Sequence, residues 1–133
     1  MANTFNLEII CPDRMFYKGE AEMLEIVSED GMLGIYAGHM PFTAVLMPGV
    51  ARIHANGEIK EAAIHSGFME ILQDKITVLA EIAEWPEEID LDRAKQAKER
   101  AEKRIKGQME KEFNLKRAEF ALRKSIARIK LVK

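Results

Sequence analysis

A single cysteine, Cys11, stands among the 133 residues. One thiol excludes an internal disulfide and any cysteine-based zinc cluster. Cys11 reads as a small buried apolar residue in a reduced, cytoplasmic setting rather than as a nucleophile. No apolar run approaches the roughly 20 residues that cross a bilayer. The start, MANTFNLEII, lacks a basic segment followed by an apolar one, so no secretory leader is expected. Catalytic signatures are missing as well. There is no Gly-x-Ser-x-Gly elbow, no phosphate-binding Gly-Lys-Ser/Thr loop, and no Gly-x-Gly-x-x-Gly after a strand. The three histidines, His39, His54 and His65, form no two-histidine clamp in the hairpin register derived below, and read as structural or surface groups. The chain is therefore expected not to be an enzyme and to hold no metal.

Residues 1–86 are punctuated like a β-protein, with short apolar and β-branched runs between turn signals. FNLEII alternates from Phe5 through Leu7 to Ile9, and AEMLEIVS reads as a strand ended by Glu29–Gly31. CPD and YKGE read as breaks. Asn56-Gly57, between VARIHA and EIKEAAI, is the strongest hairpin signal, because both residues tolerate positive φ. A two-residue loop there sets Arg52 opposite Glu61 and His54 opposite Ile59. FMEILQDKITVLAEI gives two more strands around Asp74-Lys75. Seven or more short strands without intervening helices imply a sandwich or barrel.

Pro86 marks a boundary, and Trp85 before it is expected to be extended. From Asp90 the period changes to 3.6: Ala94, Ala97, Ala101 and Ile105 make one helical stripe. A second helix is expected from about Asn114, with Leu115, Ala118, Leu122, Ile126 and Ile129 as its stripe. Two short amphipathic helices joined by a short linker imply an antiparallel hairpin. Charge divides at the same place. Residues 1–86 carry 13 acidic against 5 basic side chains, and residues 87–133 carry 9 against 15. Arg93, Arg100 and Arg104 share one helical face, which suits phosphate or carboxylate partners. Nucleic acid is not the expected anion, because the β-part is acidic and the tail has few aromatics. Separately, GIYAGHMPF needs Gly38 for its backbone angle, and it presents Tyr36, His39 and Met40 as a docking edge.

These residues match a known family. GMLGIYAGHMP, HSGFMEI, KITVLAE and IDLDRA, in this order, resemble the signatures of the epsilon subunit of the F-type ATP synthase over nearly the whole chain. The resemblance implies a β-sandwich of about ten strands over 1–86, followed by a C-terminal α-helical hairpin over 87–133. It implies a non-catalytic rotor part joining the gamma subunit to the c-ring, with rotary ATP synthesis driven by an ion gradient. The place implied is the cytoplasmic face of the cell membrane, reached only through the complex. The family's hairpin folds against the sandwich, or extends along gamma to meet an acidic segment of a beta subunit and block hydrolysis. The hinge is expected near Trp85-Pro86. No cofactor is implied as required, but ATP is implied as a regulatory ligand of Glu84, Ile89, Asp90, Arg93, Ala94, Arg100, Lys124 and Arg128. Lys124 departs from the arginine of well-studied binders, and the helix-linking loop is one residue longer. Docking on gamma and the c-ring is expected of Met32, Tyr36, His39 and Met40; Met32 stands where many relatives carry glutamate. The other reading is a stand-alone ATP-sensing module.

Overall fold

The computed structural model describes residues 3–107 and 112–132. The longer helix-linking loop expected from the resemblance lies largely outside them. Eight strands come first: β1 (Phe5–Cys11), β2 (Arg14–Ala21), β3 (Met23–Ser28), β4 (Gly31–Tyr36), β5 (Phe42–Leu46), β6 (Gly49–Ala55), β7 (Glu58–Ile71) and β8 (Lys75–Glu84). A 3-10 turn (Pro86–Glu88) leads to two helices, α1 (Leu91–Gly107) and α2 (Glu112–Val132). The strands make one hydrogen-bonded sheet in the order β2-β1-β8-β7-β5-β3-β4, with β6 bridging β3 and β7, folded over as a sandwich. β1 runs parallel to β8, and the other pairings are antiparallel.

Alternation explains the strands. Phe5, Leu7, Ile9 and Cys11 of β1 are buried, while Asn6, Glu8 and Ile10 between them are less so, because successive side chains point to opposite faces. Leu24, Ile26, Ile35, Leu46, Ile53, Ile64, Met69, Ile71 and Ile76 meet β1 in a single core. The Asn56-Gly57 turn has φ of 53° and 76°, and Arg52 stands opposite Glu61 as the hairpin register requires.

Eight strands, rather than about ten, are present among the described residues. One long strand serves two stretches: β7 pairs with β6 before Ser66-Gly67 and with β5 after it. Both residues at the bend have positive φ, 56° and 131°. Ala62 and Ile64 face the core before the bend, and Met69 and Ile71 face it afterwards, so the inward parity changes. A Cβ on Gly67 would overlap the Leu79 carbonyl oxygen. YKGE does not break the chain but lies within β2. The Tyr17 ring lies over Gly19, where a Cβ would stand 3.3 Å from its hydroxyl oxygen.

α2 packs on β6 and β7, and α1 packs on α2. The α1 stripe is as expected, with Ala94 and Ala101 buried. The α2 stripe differs. Ala118 and Ser125 are buried with Leu122 and Ile129 half-buried beside them, while Ile126 is exposed. Ala127, on the opposite side of the helix, is buried too. A helix held between a second helix and a sheet buries two faces, which single-stripe reasoning does not anticipate.

Candidate functional site

A cleft of about 410 Å³ opens where β8, the 3-10 turn and the two helices meet. Its walls are Glu84, Glu88, Ile89, Asp90, Arg93, Ala94, Ala97, Arg100 and Arg128. Local structure explains the placement. Trp85 is extended (φ −78°, ψ 157°), and Pro86 starts the 3-10 turn with φ already set. Asp90 then caps α1: its Oδ1 accepts the Arg93 N–H at 3.1 Å, and its carbonyl accepts the Ala94 N–H at 3.0 Å. Arg93, Ala94, Ala97 and Arg100 follow on one face of α1. Arg128 enters from the last turns of α2, which runs back alongside the start of α1.

Two ionic groups frame the cleft. Glu84 Oε1 accepts Arg128 Nε–H at 2.7 Å and also lies 3.0 Å from His65 Nε2. Burial raises the Glu84 pKa, but the hydrogen bonds from His65 and Arg128 outweigh it and leave the carboxyl below its usual range. Glu88 accepts both Arg14 guanidinium nitrogens at 2.8 Å, and its Oε1 also accepts the Trp85 N–H at 2.8 Å. These bonds hold its carboxyl down at about 2. Phe16 stacks on Trp85 at 4.2 Å, and the Arg14 guanidinium lies 5.0 Å over Phe16. The Trp85–Glu88 segment is thus bolted to β2.

Seven of the eight residues expected around a nucleotide line this cleft. Lys124 does not. It lies one turn along α2 from Arg128, close enough to His65 to act on its charge. Glu88 and Ala97 are additional walls. Three guanidinia and an apolar wall of Ile89, Ala94 and Ala97 can hold an anionic group beside a flat one. Among the described residues, no cluster of histidine, cysteine, aspartate or glutamate could hold a metal ion.

The expected docking residues occupy an edge. Met32 (54% exposed) and Tyr36 (61%) share the outward face of edge strand β4, and Met40 (79%) follows in the loop. Gly38 there has φ of 79°. The His39 ring lies 5.2 Å from the exposed Phe42 ring. A second apolar feature crosses the outer face of the sheet. Val45, Phe68 and Leu79, all exposed, are cross-strand neighbours, and the row continues through Ile10 to exposed Met15.

Two family models match the chain: the ATP synthase delta/epsilon chain beta-sandwich domain at residues 4–86, and the long alpha-helix domain of the same chain at 87–133. The chain belongs to the ATP synthase delta/epsilon chain family. Among curated relatives, the ATP synthase epsilon chain of Caldanaerobacter subterraneus is 41% identical over 132 residues, covering 98% of this chain and 95% of that one. The epsilon chain of Clostridium novyi is 40% identical over 133 residues, covering 99% and 100%. A chain of the Euglena gracilis mitochondrial ATP synthase superposes with a TM-score of 0.80 at 23% identity, over 94% of this chain and 79% of that one. That likeness concerns the fold.

Sequence reasoning missed several features of this delta/epsilon chain. Glu88 stands three residues after Trp85, and only the fold brings Arg14 to it. His65 reads as an ordinary strand residue until α2 covers it. The Val45–Phe68–Leu79 row needs the register of three strands. Its signal was an apolar residue on the outward parity of each strand, visible only once pairing is known.

Proposed function

We propose that this chain is a non-catalytic central-stalk subunit of an ATP synthase, with residues 1–86 as a fixed body and 87–133 as a regulatory part that moves. Family membership across both parts is the observation that carries this reading. The sandwich is closed around one apolar core and suits a rotor joint. The exposed β4 edge and the Val45–Phe68–Leu79 row offer apolar surface for gamma and the c-ring. No helix among the described residues is long and apolar enough to cross a membrane. Membership in the ATP synthase family supports a place at the cytoplasmic face of the membrane, reached through the complex.

The hairpin's excess of basic residues suits an acidic segment of a beta subunit when it is extended. In the docked state described above, the cleft takes ATP. Arg93, Arg100 and Arg128 hold phosphate oxygens, and Asp90 accepts from the adenine amino group. ATP in the cleft bridges α1 and α2, so it favours the docked state by mass action. The pivot lies at Ile89-Asp90 rather than at Trp85-Pro86, because Trp85–Glu88 is tied to β2 through Phe16 and Arg14.

Three measurements test these parts. A pull-down with gamma separates the rotor subunit from a stand-alone ATP sensor; no affinity for gamma overturns the former. Deleting 87–133 should raise ATP hydrolysis by the complex under inhibiting conditions, and unchanged activity counts against regulation. Calorimetry with the isolated chain should give ATP binding that Arg100→Ala weakens. Absence of heat at millimolar ATP removes the nucleotide role.

A further inference from the structure

His65 is the only imidazole or charged side chain buried among the described residues, at 1% exposure. It lies on the outward face of β7 and is covered by α2 rather than by the sandwich. Its Nε2 is 3.0 Å from Glu84 Oε1, the oxygen that also accepts Arg128 Nε–H at 2.7 Å. Its Nδ1 is buried without a hydrogen-bond partner. With the proton on Nε2, the neutral ring donates to Glu84 and leaves only a lone pair unmatched. The imidazolium would instead carry a buried N–H at Nδ1 with no acceptor, which is costly.

The surroundings of the ring sharpen this difference. Glu84 faces it from β8, and Arg128 and Lys124 face it from α2. On its own strand, the Ser66 hydroxyl is engaged with the His65 carbonyl and with Glu81. Arg128 already matches the Glu84 charge, so a protonated ring adds a positive charge to a balanced pair. Ala63 on β7 and Ala127 on α2 are both buried.

We propose that His65 is a proton-operated latch: neutral, it holds α2 on the sheet through Glu84 and Arg128, and protonated, it releases α2. This rests on the reading above that the hairpin has docked and undocked states.

Burial pushes the His65 pKa below its ordinary value of 6.5, the Glu84 hydrogen bond opposes this, and the charges of Arg128 and Lys124 add to the fall. The sign follows. Undocked, the ring binds a proton more readily than docked, so docking is fully present above about pH 6.5 and weakens below it. The docking constant falls on the order of tenfold per pH unit until the docked pKa is reached. Glu84, lowered from 4.5, stays ionised over this window.

The full chain, without nucleotide, is titrated from pH 8 to pH 5 while NMR follows the His65 imidazole and the Ala63 and Ala127 methyl groups. The methyl groups should move to undocked positions below about pH 6.5 with the same midpoint as the imidazole. His65→Gln keeps a donor for Glu84 but does not titrate, and it should stay docked throughout. Arg128→Ala should undock at pH 8 and so supplies the reference spectrum. If Arg128→Ala undocks but the wild type stays docked as its imidazole titrates, the latch is overturned and the two-state reading stands. If His65→Gln undocks with the wild-type profile, the latch is overturned as well. If neither acid nor Arg128→Ala releases α2, the latch and the two-state reading both fall. Should His65→Gln not fold, the coincidence of the wild-type midpoints decides.

Discussion

The interior of the sandwich and the underside of the hairpin are both sealed from water, but by different side chains. The sandwich buries Leu7, Ile9, Leu24, Ile53, Ile64, Met69 and Ile76, each contributing about 1.5–3 kcal/mol. The hairpin's buried residues are Ala94, Ala101, Ala118, Ser125 and Ala127, divided between the contact of the two helices and the contact of α2 with the sheet. A buried methyl contributes only about 0.8 kcal/mol. The specific ties of the hairpin are polar, through Arg128, Glu84 and His65. One chain therefore builds a body that is costly to open and a cover that is not. The stability of the two parts should be separable, as local unfolding requires.

That contrast breaks most strongly at Gly67. Its φ of 131° and the Leu79 carbonyl leave no room for a Cβ, so Gly67→Ala should cost about 4 kcal/mol or more. Urea denaturation of the whole chain would record it. Ile53→Ala, a core truncation, should lower the unfolding free energy measured in the same way by about 2–5 kcal/mol. Arg128→Ala should do something different. It should cost about 1–3 kcal/mol, seen as faster amide exchange in α2, while the urea midpoint of the sandwich stays unchanged. Exchange that rises equally in the strands would erase the proposed distinction.

The smallest effect is expected at the bolt between the two regions. Glu88 falls from 4.5 to about 2 in the folded chain. Its contribution is thus complete above about pH 4.5 and is lost as pH falls toward about 2. Trp85 is the only tryptophan, so its fluorescence reports this site alone. It should shift across that window, and Glu88→Gln should show the shifted spectrum already at neutral pH.

Much of the body was legible because its signals are local. Positive φ at Asn56-Gly57 set one hairpin, and alternation in FNLEII set β1. The cleft's residues were named by the family resemblance; spacing alone put Arg93 and Arg100 of its walls on one helix face. The apolar face of α2 was not legible. Ser125 is buried and Ile126 is exposed, because α2 serves two partners and a helical period describes only one stripe. The residue reading of seven or more strands holds, and the bend at Ser66-Gly67, which joins what reads as two strands, accounts for one strand of the difference from the family's ten.

Sequence alone determined the β-then-α order, the hairpin turn and the same-face arginines, because each depends on residues within a few positions of one another. Tertiary structure alone decided that Arg14 holds Glu88 across 74 positions, that Glu84 is shared between His65 and Arg128, and that Lys124 is not among the walls of the cleft. Those outcomes depend on which faces of separate elements meet. Partner choice of that kind is set by packing across the whole fold and leaves no local period to read.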